Sequence, residues 1–302
     1  MTPPPRARRS PRALPIAALA AVALLCSGYG PYRPAGAGAL ALGQADAVVA
    51  TANGLTALYA NPANMAQTKR QVFDAGFSRN PQAGTSSLSV GGVDGTSGWG
   101  ITAGLGYAYD ANWGVDAPQR GMHDVRFGLA AAVESDAGRV MIGAAGRYLT
   151  GGLYASGQHL EGFGTDLGIA AALSGLRAGL VLRNAVRVDV AETPRRVAAG
   201  VGWAADHVLV DADAAWGTDE RSGQAYRAGI AVQPGEEGLQ LRAGYAFDRT
   251  VPRDPLRHFV AGGLSWRTPR VALDLSAAVN VARPDETIIA VGIGMVLPPE
   301  NE

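Results

Sequence analysis

Lysine is almost missing from this 302-residue chain: Lys69 is the only one, and the remaining positive charge is carried by scattered arginines. Basic and acidic residues balance at 26 each, so no clustered cationic face is offered to nucleic acid, and that partner is discounted. The single cysteine, Cys26, lies in the leader-like first stretch, so a processed chain has no thiol for disulfides, zinc clusters or nucleophilic chemistry. Charged residues make up 17% of the chain, below the usual quarter. Beyond the leader no apolar run approaches the roughly 20 residues of a membrane-spanning helix, which excludes a helical membrane protein. Glycine, by contrast, is abundant at 41 residues.

The first residues read as an export signal. Arg6, Arg8, Arg9 and Arg12 precede an apolar run from Leu14 to Leu25, too short to span a bilayer, and small residues follow. Cleavage falls somewhere in 26–41, after Ala35-Gly36-Ala37 or after Ala39-Leu40-Ala41. Residues 1–37 are assigned to the signal, 38–70 to an N-terminal segment, 71–297 to the main fold and 298–302 to a tail.

From Val72 to Leu297 apolar and small or polar residues alternate at period two, in segments of the length of tilted membrane-crossing strands. Trp99, Ile101, Ala103, Leu105, Tyr107 and Tyr109 oppose Gly100, Thr102, Gly104, Gly106 and Ala108. Elsewhere the second face carries charge: Val125, Phe127, Leu129 and Val133 oppose Arg126, Gly128 and Glu134, and Val208, Val210 and Trp216 oppose Asp211 and Asp213. A charge facing lipid near the midplane costs several kcal/mol, about 2–4 for Arg, so the charged face points inward. The pattern yields about 14 segments, an even number: 72–78, 85–93, 99–109, 124–135, 139–149, 162–173, 176–184, 195–204, 207–216, 224–233, 239–248, 258–267, 271–281 and 286–297. Odd connections read longer than even ones, as for outer loops and periplasmic turns, which places both chain ends in the periplasm. The expected fold is all-β, an antiparallel transmembrane β-barrel of about 14 strands with an N-terminal plug, in the outer membrane of a Gram-negative bacterium. A soluble sandwich also alternates, but its second face would carry Lys, Glu and Thr rather than glycine, alanine and arginine.

The piece from Ala41 to Arg70 lacks period two and is apolar enough to need burial. It contains Ala57-Leu58-Tyr59-Ala60-Asn61-Pro62-Ala63. That stretch, with Gly162–Gly168, Arg177–Asn184, Thr193–Arg196 and Leu241–Tyr245 in order behind it, resembles the FadL-like and PorV/PorQ-like outer-membrane proteins over most of the chain. Two departures are short loops and an end at Pro298-Pro299-Glu300-Asn301-Glu302 in place of a terminal aromatic residue. The resemblance implies a hatch that plugs the lumen and a passage for hydrophobic molecules, with Leu55, Leu58, Tyr59, Asn61, Pro62, Ala63 and Met65 along the hatch and ligand path. Pro62 excludes helical geometry at Asn61, which makes a bend inside the barrel or a turn before the first strand.

Arg126, Glu134, Arg147, Asp166, Arg177, Arg183, Asp211, Asp213, Arg242 and Asp274, with Arg196 and Arg227, are expected to form a charge network in the lumen, either holding the hatch or lining a selective path. No catalytic residue is assigned: Ser156 and His159 lie outside any nucleophile elbow. His123, His159, His207 and His258 lack metal-ligand spacing, so no metal or cofactor is expected and the chain is read as not an enzyme. Tyr107, Tyr109, Tyr148, Trp203, Trp216, Tyr245, Phe247 and Trp266 are candidates for interfacial girdles. Two functions remain open: passive transport of a hydrophobic or amphipathic small molecule, with membrane lipid as surroundings, or a non-transporting anchor for envelope or secreted proteins.

Overall fold

The computed structural model describes residues 38–82, 84–97, 99–112, 120–153, 158–186, 195–218, 223–235, 238–249 and 257–297. The expected signal and the tail 298–302 lie outside the described residues. Fourteen strands follow one another: β1 (Gln71–Asn80), β2 (Thr85–Asp94), β3 (Ile101–Asn112), β4 (Arg120–Ser135), β5 (Gly138–Leu153), β6 (Gln158–Leu173), β7 (Leu176–Arg183), β8 (Arg196–Ala204), β9 (Val208–Gly217), β10 (Gln224–Val232), β11 (Gly238–Arg249), β12 (Arg257–Arg267), β13 (Val271–Asn280) and β14 (Ile288–Leu297). Each pairs antiparallel with its sequence neighbours, and β1 pairs with β14, closing the barrel. Closure leaves no unpaired sheet edge, the condition for a sheet to lie in lipid.

Alternation decides the two surfaces. On β4, Phe127 is 53% exposed and Arg126 beside it 1%. The outer surface carries Phe73, Leu105, Leu180, Leu241, Val260 and Leu273, all large, apolar and exposed, which is a lipid-contacting surface. The inner surface is made of alanines such as Ala108, Ala130, Ala198 and Ala278, together with glycines and charges. The turn between β6 and β7 uses Ser174 (φ 44°) and Gly175 (φ 90°), both left-handed, as a two-residue hairpin turn requires.

All fourteen expected segments contain strands; β3 starts at Ile101 rather than 99, and the largest difference is in length. β4, β5 and β6 run on to Arg120, Leu153 and Gln158, and register holds to the pair Arg120↔Leu153. The connections after β3 and β5 therefore shrink to 113–119 and 154–157, and the expected contrast between long and short connections is weaker. Gly121, Gly151 and Gly152 erase the apolar alternation there, while a ladder of backbone hydrogen bonds needs no side chains to continue.

The N-terminal segment folds into two short helices, α1 (Gly38–Gly43) and α2 (Gly54–Ala60), and a 3₁₀ helix, Pro62–Gln67. It runs along the inward face of the wall at a level where nearly every strand presents glycine. At Gly128 an added Cβ would lie 2.6 Å from Leu58 Cδ1 and 2.7 Å from Met65 Cε; at Gly143 it would lie 2.5 Å from the backbone nitrogen of Ala63. These glycines are small because another piece of chain occupies the space. The same explanation holds for Gly104 and Gly106, beside Met65 and Tyr59. Gly100 precedes β3 with φ 70° and nothing near it, so it is a turn residue.

Candidate functional site

The wall holds the segment by its backbone. Asp213 on β9, 5% exposed, accepts hydrogen bonds from the nitrogens of Val48 (2.6 Å) and Val49 (2.8 Å) through one carboxylate oxygen. Asp211, two residues earlier and on the same face, accepts from Gln44 Nε2 at 3.2 Å. Asp74 on β1 accepts from the nitrogen of Leu55 at 3.0 Å, at the start of α2 where backbone donors have no helical partner. Arginines hold the carbonyls: Arg183 donates to Ala60 O at 2.9 Å, while Arg177 donates to the side chain of Gln67 at 2.6 Å. Acids on donors and arginines on acceptors tie several points of one thirty-residue piece to several strands.

Asn61 sits between α2 and the 3₁₀ helix with φ −155° and ψ 105°, the extended geometry that the following proline imposes. Its side chain closes the bend: Oδ1 accepts from Ala63 N (3.2 Å), while Nδ2 donates to Val49 O (3.1 Å) and to Ile169 O on β6 (3.3 Å). Asn64 donates to the same Val49 carbonyl at 2.9 Å. The bend is cross-linked within the segment and to the barrel.

Leu55, Leu58, Tyr59, Asn61, Pro62, Ala63 and Met65 are all buried. Of these residues, expected along a ligand path, Leu55 lines the inner cavity, and Leu58, Tyr59, Ala63 and Met65 pack in one apolar core with Ala108, Ala130, Met141, Ala145 and Ala170. The Tyr59 ring lies 4.6 Å below the guanidinium of Arg126. Among the described residues its hydroxyl finds no hydrogen-bond partner, and burial pushes that phenol well above its ordinary value, so it stays neutral.

Ion pairs tie several of the expected lumen charges together. Arg126 joins Asp166 (2.9 Å) and Asp124 (3.1 Å), and Arg147 joins Asp124 at 2.7 Å, all five per cent exposed or less. Arg242 joins Asp274 at 2.8 Å, with the Ser265 hydroxyl also on Asp274. Asp211 and Asp213 face the segment. Glu134 is a correction: its side chain is 56% exposed, at the rim where the segment enters β1, paired with Lys69 (2.8 Å) and Arg139 (2.6 Å). The alternation that put it on the inner face runs past the end of the lumen. Asp124 and Asp74 were missed, although Asp124 shares the inner face with Arg126, two positions away, which the pattern had placed there.

Two concave spaces flank β1 and β14. One, of about 640 Å³, lies inside between α1, the start of α2 and the wall, with Leu55, Arg70, Asp74, Arg267 and Asp274 on it. The other, of about 740 Å³, is an apolar groove on the outer surface between Phe73, Val90, Leu105, Phe127 and Met295. Asp74, Ala75, Ile293 and Met295 line both. The wall between them carries little bulk inward, because Gly76 pairs with Gly292 and Asp74 with Gly294. Among the described residues no group of three or more His, Cys, Asp or Glu side chains is placed to hold a metal. Ser156 lies outside the described residues, and the His159 side chain is 65% exposed beside Glu161.

No family model matches the sequence, and no curated protein matches it either. Solved structures do. A TodX monoaromatic hydrocarbon channel, in a deltaS2 mutant, superposes with a TM-score of 0.64 at 12% identity, over 88% of this chain and 99% of that one. A Pseudomonas aeruginosa FadL homologue superposes with a TM-score of 0.57 at 13% identity, over 89% and 99%. The chain therefore has the closed-barrel fold shared by a FadL homologue and the TodX channel.

Proposed function

We propose that the protein is an outer-membrane channel for a hydrophobic or amphipathic small molecule, with both chain ends in the periplasm and residues 38–70 acting as its hatch. The observation that carries this reading is the shared wall of the two spaces: an apolar groove open to lipid and a cavity beside the segment are separated by β1 and β14, where Gly76, Gly292 and Gly294 leave little inward bulk around Asp74. The cargo moves between lumen and membrane across this seam. Asp74 closes it by holding the start of α2 through Leu55. The buried, charged layer around Arg126 and Asp124 is a poor path for an apolar molecule, which favours a sideways route. The TodX structure is that of a channel for monoaromatic hydrocarbons, which fits the same class of cargo.

The test is flux of a neutral aromatic dye into proteoliposomes. Gly292→Leu adds bulk where a Cβ meets its neighbours at ordinary distances of 3.5–3.6 Å, so the barrel tolerates the start of the side chain while the cavity fills. Flux several-fold below that of the parent supports the route. Unchanged flux with the variant folded rejects it.

A further inference from the structure

Two hairpins on opposite sides of the barrel carry the same short sequence. Residues 106–110 read Gly-Tyr-Ala-Tyr-Asp on β3, and residues 244–248 read Gly-Tyr-Ala-Phe-Asp on β11. In the ring of fourteen strands these positions are eight apart in one direction and six in the other. In both, the glycine and the acid face inward and the aromatics face out. In both, the next strand places a histidine opposite the second aromatic: His123 pairs with Tyr109, and His258 with Phe247.

The local geometry repeats as well. The hydroxyl of Tyr107 lies 2.8 Å from His123 Nδ1, and that of Tyr245 lies 2.5 Å from His258 Nδ1. The second aromatic lies against the imidazole, with ring centroids 4.8 Å apart for Tyr109–His123 and 5.2 Å for Phe247–His258. Each site is thus an imidazole and a phenol joined by one hydrogen bond on an aromatic bed.

The donor count does not depend on the tautomer. A neutral imidazole has one N–H and a phenol one O–H. One of these two hydrogens makes the internal hydrogen bond and the other is left over: His Nε2–H if the phenol donates, Tyr O–H if Nδ1 donates. Protonation of the ring at lower pH adds a charge and keeps a donor. Each site always offers at least one donor outward, from an otherwise apolar surface.

Depth selects what it meets. On β4 the exposed outer residues run from Val133 through Phe127 to Val125, and the half-buried His123 follows two residues on along the same face. That length of strand rises about 33 Å along its own axis, or about 25 Å along the barrel axis at the usual tilt, which is the height of the apolar band of such barrels. The histidine therefore stands where hydrocarbon gives way to headgroups, at the rim away from the chain ends.

We infer that His123 with Tyr107, and His258 with Tyr245, are two opposed docking sites for the phosphate of a membrane lipid headgroup, which fix the depth and tilt of the barrel. The third outward histidine is built differently: His159 Nε2 lies 3.6 Å from Glu161, which also accepts from the Tyr148 hydroxyl, and a carboxylate repels phosphate.

The test is native mass spectrometry of the full chain from detergent micelles doped with dioleoylphosphatidic acid or with dioleoylglycerol, which lacks the phosphate. The parent is expected to retain two phosphatidic acids. Retention should fall to one in His123→Phe or His258→Phe and drop at least tenfold in the double variant, while His159→Phe keeps both and dioleoylglycerol retention stays level throughout. If the double variant fails to fold, the two single variants carry the test. Phosphatidic acid retention unchanged by these substitutions overturns the inference, as does an equal loss of dioleoylglycerol, which would mean that only apolar packing was altered.

Discussion

One carboxylate oxygen of Asp213 lies 2.6 Å from the backbone nitrogen of Val48, far away in sequence, and also accepts from Val49. Buried donors without an acceptor cost about 1–3 kcal/mol each. Asp213→Ala is therefore expected to lower thermal stability in detergent and to release the segment to protease. Asp213→Asn keeps an acceptor oxygen and loses only the charge, so its effect is expected to be smaller. Equal behaviour of the two variants would show that the contact does not hold the segment.

Glycine size, rather than glycine flexibility, is what the segment needs from the wall. Gly128→Ala pushes a methyl into Leu58 and Met65 and is expected to cost about 1–3 kcal/mol, in the range of overpacked cores. Gly146 on the neighbouring strand faces outward, where an added Cβ finds its nearest neighbour at 4.0 Å, so Gly146→Ala is expected to be neutral. Paired denaturation curves compare them directly.

Around Arg126 two substitutions should affect stability differently. Asp124→Ala leaves Arg126 and Arg147 without their shared carboxylate in a buried place and is expected to cost about 3–5 kcal/mol. Tyr59→Phe removes a buried hydroxyl that has no partner among the described residues, keeps the ring under Arg126, and is expected to leave stability level or raise it. A marked loss in Tyr59→Phe would show that the hydroxyl is bonded.

At the rim, the exposed Glu134 bonds the exposed Lys69 and the partly buried Arg139. Exposed ion pairs contribute little. Glu134→Gln is expected to leave the melting temperature unchanged, in contrast to any change at Asp124.

Strands were legible because lipid writes its presence into every second residue: Val125, Phe127 and Leu129 on one face, Arg126, Gly128 and Ala130 on the other. That signal stops where lipid stops, which is why the upper parts of β4 and β5 were read as loop and why Glu134 was carried into the lumen. The bend at Asn61-Pro62 was legible from proline geometry alone. The helices beside it were not, because helices of six and seven residues have little periodicity to show. Inward charges were legible as a set but not as pairs, since Arg126 meets Asp166, and Arg242 meets Asp274, across an intervening strand and so through two successive registers. The seam of β1 and β14 joins the two ends of the fold and leaves no local mark in either strand.

The whole account depends on one face of each strand meeting lipid while the other meets the packed interior. Cysteines placed one at a time from Val125 to Ala130, each spin-labelled in bilayers, test this most directly by collision with oxygen, which concentrates in lipid, against a water-soluble nickel complex. High oxygen access at 125, 127 and 129 with low access at 126, 128 and 130 is the expected result. Equal access at all six positions, or recovery of the chain as a water-soluble monomer without detergent, would contradict it.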